Sequence, residues 1–267
     1  MGTTWRRRLP QAGGGLAPLR QFMLVAVFAL AMAWTEAAAV MYLRIPADRV
    51  QPYQANPFPS LPAIGWIELV REAATLVMLA AVGTLAGSSR RSRFGFFLIA
   101  FGLWDIGYYL CLQWMGGWPA SLLDWDVLFL LPLPWWGPVL APLLISLLMI
   151  ALGGLLGLSR IDRISPQATA VAWAGFACGA FLALTVFIWD TAHAASNGIS
   201  AVLQVLPQRF LWPQFLAALG LMALPLLPFG RPRGFIAHRE AARRRWTLDR
   251  REHAAPRKET ADDRPHP

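Results

Sequence analysis

The chain has 267 residues, 56% of them hydrophobic and only 15% charged, with a formal net charge of +9. A soluble protein of this size carries charge on about a quarter of its residues to cover its surface, so the composition excludes ordinary cytosolic enzymes, disordered scaffolds and coiled coils. It is the composition of an integral membrane protein, and the basic balance has to be read by position before it says anything about a partner.

Residues 1–20 form a basic N-terminal tail with Arg6, Arg7, Arg8 and Arg20. A membrane-crossing helix needs about 20 mostly apolar residues, because the hydrocarbon core is about 30 Å thick and each residue rises about 1.5 Å. Six segments between residues 21 and 230 meet that length and predict an all-α integral membrane protein, a six-transmembrane-helix bundle. The first span runs from Phe22 to Leu43 and contains Glu36. A cleaved signal peptide over Arg6 to Ala39 is the weaker alternative, since the apolar run exceeds the usual length of such a segment.

The second span, Ile64 to Ala86, carries Glu68, Arg71, Glu72 and Thr75 at i, i+3, i+4 and i+7, which places them on one helix face. In the third, Phe94 to Gly116, Asp105, Tyr108 and Tyr109 share a face. A Trp/Pro-rich segment follows, interrupted by Pro119, Pro132, Pro134 and Pro138, and it cannot continue as a spanning helix. It reads as an interfacial or re-entrant piece between helices 3 and 4. Trp118, Trp125, Trp135 and Trp136 are expected to anchor it at headgroup depth, with Asp124, Trp125 and Asp126 capping a cavity below.

The fourth span, Val139 to Leu158, and the fifth, Ala168 to Asp190, each hold a GxxxG pair, Gly153 with Gly157 and Gly175 with Gly179. These read as close-packing surfaces between helices, with a homodimer or membrane-complex subunit as the alternative. Asp190 and His193 lie three residues apart, neighbours if the helix continues one turn. The sixth span, Phe210 to Phe229, is expected to be short and kinked by Pro213, Pro225 and Pro228. Residues 231–267 are a basic tail, partly disordered, whose arginines meet anionic lipid headgroups; it lacks the zinc spacing and interleaved aromatics of a nucleic-acid binder.

Of the 24 Lys and Arg residues, 20 fall in the two tails, the loop holding Arg90, Arg91 and Arg93, and the loop holding Arg160 and Arg163. The opposite side has Arg44, Arg49 and Arg209, and Arg71 lies inside a span. The positive-inside rule therefore puts both termini in the cytoplasm, and the +9 charge is topological. Arginine outnumbers the single lysine, Lys258, in keeping with a bacterial inner-membrane protein.

No lysine lies in a span to carry retinal, the histidines do not pair across spans for haem, and no nucleotide-binding loop occurs, so none of these cofactors is expected. Cys111 and Cys178 read as small packing residues.

The acids carry the functional signal. Glu36, Glu68, Glu72, Asp105 and Asp190 come from four spans, and each lies at or above the bilayer midplane on the outer side. An ionised carboxylate there costs at least about 2.5 kcal/mol, so these faces should turn toward one another. Arg71 alone cannot neutralise them. The leading expectation is a cavity, open to the periplasm or exterior, that binds or translocates protons, a cation or a small cationic substrate through Glu36, Glu68, Arg71, Glu72, Asp105, Tyr108 and Tyr109. A metal-dependent membrane enzyme is the competing class, with Asp190, His193, Glu68 and Glu72 around a divalent ion. A non-catalytic subunit or assembly factor whose polar network only fixes helix packing is the third.

Overall fold

The computed structural model describes residues 16–55, 57, 62–130, 133–158 and 166–227. Most of the N-terminal tail, the loop with Arg160, Asp162 and Arg163, and the whole C-terminal tail lie outside the described residues, as do the expectations placed on them.

The protein is mainly helical. In chain order it has α1 (Leu16–Arg44), α2 (Pro62–Ala86), α3 (Arg90–Gly116), α4 (Leu140–Gly157), α5 (Pro166–Ala194), a short α6 (Ile199–Leu203) and α7 (Trp212–Met222). The first five contain stretches long and apolar enough to cross a membrane. Apolar side chains such as Leu24, Val27, Val77, Leu110 and Phe181 stay more than half exposed on their outer faces. Such a surface suits hydrocarbon, since soluble monomers rarely expose apolar patches of that extent.

The last apolar segment is short and interrupted along its described length. Pro213 lies in the first turn of α7, and Pro225 interrupts the helical hydrogen bonding beyond Met222, where a 3-10 turn, Leu224–Leu226, takes over. At about 1.5 Å per residue α7 is about 17 Å long, too short to cross a bilayer core alone. It lies against α5, where Phe215 and Ala218 are fully buried.

α3 is the centre of the bundle, with α1, α2 and α4 all packed on it. Small residues set how closely they approach. On α1, Ala29, Ala33 and Ala37 are fully buried at four-residue spacing. On the other side of α3, a Cβ at Gly102 would lie 2.5 Å from the Ser146 carbonyl oxygen, and one at Gly153 would lie 2.6 Å from that of Gly95. The GxxxG pair of α4 thus packs on α3 within the chain, and Gly175 and Gly179 of α5 meet α7 in the same way. Gly102→Val is expected to force α3 and α4 apart and to cost at least about 1–3 kcal/mol, the range for overpacking a close contact. Denaturant titration in detergent measures it.

The Trp/Pro-rich segment is not helical along its described length. α3 ends at Gly117, whose left-handed φ of 68° suits glycine, and the Asp124 carboxylate accepts from the backbone amides of Ala120 and Ser121 at 2.8 and 3.1 Å. Two short antiparallel strands follow, β1 (Trp125–Val127) and β2 (Trp136–Pro138), with Asp126 opposite Gly137. The purely α-helical expectation therefore gains a two-stranded ribbon. Of its four tryptophans, Trp118 and Trp136 are buried within the protein and Trp125 and Trp135 are half-buried. Tyr53 stacks on Trp125 and donates to the Pro207 carbonyl at 2.6 Å, and Thr191 donates to the Pro134 carbonyl at 3.0 Å. These contacts tie the ribbon to the first loop, to α5 and to the α6–α7 connection.

Candidate functional site

Helical periodicity turns the acids inward and the close α1–α3 and α3–α4 contacts bring them into one space. Glu36 from α1, Glu68, Arg71 and Glu72 from α2, and Asp105, Tyr108 and Tyr109 from α3 all line a single cavity of about 920 Å³. Most of the remaining wall is apolar, with Phe101, Leu128, Ile145, Met149, Phe187 and Val202 among its side chains.

Two charge clusters stand in or beside it. In the first, Arg71 bridges two helices, pairing with Glu36 of α1 and with Glu68 one turn earlier on α2, the latter partly through Nε to Oε2 at 2.9 Å. The Thr75 hydroxyl lies 3.3 Å from both Glu36 carboxylate oxygens. This is the predicted face of α2, now shown to close on α1.

The second cluster pins the ribbon. Arg44, in the last turn of α1, donates through Nη2 to Asp126 Oδ1 at 2.9 Å, and the Tyr109 hydroxyl donates to Asp126 Oδ2 at 3.1 Å. The Arg44 guanidinium also lies over the Trp118 ring, 4.9 Å from its centroid. Asp126 has a side chain only 1% exposed. Burial pushes its carboxyl above the ordinary range, against the opposing pull of the Arg44 charge and the hydrogen bonds from Arg44, Tyr109 and the Val127 amide.

Glu72 and Asp105 differ from the rest. Both are buried in the cavity wall, yet among the described residues Glu72 Oε2 accepts only the Leu130 amide, at 2.9 Å, and Asp105 Oδ2 only the Ser146 hydroxyl, at 2.7 Å. Among the described residues no basic side chain lies within 4.0 Å of either carboxylate.

The proposed cap divides in function. Asp124 is a turn residue, Asp126 is a buried counter-ion, and Trp125 packs on Tyr53 and Phe210. The wall over the cavity comes from the following stretch, Val127 to Leu130 and Leu133 to Trp135.

The expected metal set does not assemble. Glu68 and Glu72 line the cavity, but Asp190 and His193 do not. His193 is exposed, with Nδ1 2.7 Å from the Trp189 carbonyl and its ring against Trp189. The three-residue spacing put the pair on one face of α5, and that face turns away from the acids. Among the described residues no group of three metal-ligating side chains occurs.

Two participants were not expected at the site: Arg44 counted as a loop residue because it ends an apolar run, and Ser146 is an isolated hydroxyl in the fourth span. The one available signal was Asp126, since an acid in so apolar a loop demands a cation. Comparison with protein-family models, with curated proteins and with solved structures finds no match to this chain.

Proposed function

We propose that this is a multi-pass protein of the bacterial inner membrane, with cytoplasmic termini, whose cavity binds or translocates a cation taken from the outer side. The observation that carries this reading is the pair Glu72 and Asp105, buried carboxylates in the wall of one cavity with neutral donors as their hydrogen-bond partners. Buried charge is normally paired, so such a site favours a positive occupant, either a cation or protons. Depth agrees. The cavity is lined by the C-terminal halves of α1 and α3 and the N-terminal halves of α2 and α4, whereas Arg90, Arg91 and Arg93 lie at the other end of α3. With the arginine-rich end in the cytoplasm, the acids face outward.

A second reading, that the network only fixes helix packing, is favoured by the fact that every one of these acids has some hydrogen-bond or ion-pair partner. One experiment separates the two. Tetraphenylphosphonium should bind saturably to the protein in lipid nanodiscs, above the background of empty discs. Glu72→Gln and Asp105→Asn should each weaken that binding at least tenfold, since losing a desolvated charge partner typically costs 2–5 kcal/mol or more. If both variants bind like the parent and merely melt at lower temperature, the packing reading stands and the binding one is lost.

A further inference from the structure

The apolar part of the cavity, its open side and its aromatic wall have no part in holding a bare ion. Together they identify an occupant. A volume of about 920 Å³ lies at the upper end of the range for pockets that enclose drug-sized ligands, far more than an ion needs.

The cavity has one side that no helix pair closes. α2 packs on α1 and α3 and touches no other helix among the described residues, and α6 packs on α5 and the 3-10 turn before it. Both nonetheless contribute to the cavity wall. At this gap the lining residues are apolar and outward-facing: Trp66 on α2 is 62% exposed, and Ile199 and Leu203 on α6 are 79% and 42% exposed. Gly65 also lines it, and a Cβ there would meet nothing within 4 Å. In the proposed orientation this opening lies at the outer end of α2, and its apolar rim suits contact with lipid.

The inner end is of different chemistry. Phe101, Trp104, Tyr108 and Phe129 stand in the wall with Glu72 and Asp105, and Trp104 packs edge-on to Phe101 and parallel to Tyr108. Trp104 is 5% exposed, and among the described residues its indole N–H has no hydrogen-bond partner. Aromatic faces beside carboxylates are the surroundings that recognise an alkylated ammonium, through ring quadrupole and charge together. The unpaired indole N–H adds a donor for a neighbouring ligand oxygen.

We infer that the cavity takes an amphiphile with an alkylammonium head, held between the aromatic side chains and Glu72 and Asp105, whose chain passes between α2 and α6 into the bilayer. This rests on the proposed cation site and adds the ligand's apolar half and its route. The chain gains little by leaving lipid for an equally apolar cavity, so selectivity lies in the head. Relative to water the chain still concentrates the ligand, by about fourfold per methylene transferred.

The test compares tetramethylammonium with dodecyltrimethylammonium on the intact protein in nanodiscs, subtracting empty discs. The long-chain compound is expected to occupy one site per protein with an affinity at least a hundredfold higher. Gly65→Leu and Ile199→Trp fill the gap from opposite sides at positions with open space or high exposure, so folding is preserved. Each should weaken dodecyltrimethylammonium at least tenfold and leave tetramethylammonium within twofold. If the two ammonium compounds bind equally, or both gap variants hold the long chain like the parent, the lateral route is wrong while the cation site stands. If Glu72→Gln changes neither compound's binding, the cation site itself is wrong.

Discussion

Asp126→Ala is expected to lower the free energy of unfolding by about 3–5 kcal/mol, the loss that follows when one partner of a buried ion pair is removed. Among the described residues Asp126 is the one carboxylate in an ion pair with Arg44, through Nη2, and Nη1 is buried without a hydrogen-bond partner. The Arg44 side chain is 15% exposed and ends α1, so part of the charge can reach the membrane surface along its own stem, which sets the loss nearer 3 than 5 kcal/mol. A buried pair of this kind contributes little net stability, because desolvation of both charges offsets their attraction. The double variant Arg44→Met with Asp126→Leu should therefore regain much of what Asp126→Ala loses.

The sign of the pH dependence follows from the same carboxyl. Its folded pKa is raised, so the folded protein holds more protons than the unfolded chain from the ordinary carboxylate value, about 3.9, up to the raised one. Asp126's contribution to stability is therefore fully present below that window, falls as pH rises through it and is level above. The Asp126→Asn protein should lack this step in a series of thermal melts.

Length and hydropathy were enough to locate α1 to α5, since each is an apolar run that no proline interrupts past its first turns. The face shared by Glu68, Arg71, Glu72 and Thr75 was legible for an equally local reason, the 3.6-residue period. Across helices that reasoning stops. Which residue meets Asp105 depends on the rotation of α4, and that rotation follows from the contact of Gly102 with the Ser146 backbone, 44 residues away in the chain. Arg44 and Asp126 are 82 residues apart and meet only because the ribbon folds back over α1 and α3. Asp190 and His193 show the converse. Their local spacing was correct, and only the orientation of α5 removes them from the site.

Arg71→Gln gives the second large effect and separates the two readings of the acidic cluster by sign. Arg71 is the counter-charge shared by Glu36 and Glu68, and the three side chains keep 11–24% of their surface exposed beside the cavity. Its removal leaves two more carboxylates that require a proton or a cation. If the cavity is a cation site, tetraphenylphosphonium should bind at least tenfold more tightly to Arg71→Gln than to the parent, because the occupant inherits the role of the guanidinium; tenfold corresponds to about 1.4 kcal/mol. The protein should melt at lower temperature without ligand and recover when the cation is added, since a ligand that binds only the folded state stabilises it by mass action. A purely architectural network predicts the first melting change without the second. The decisive measurement is the shift in melting temperature of Arg71→Gln with increasing tetraphenylphosphonium: a shift larger than the parent's supports a binding site, and an equal or absent one assigns Glu36, Arg71 and Glu68 to packing alone.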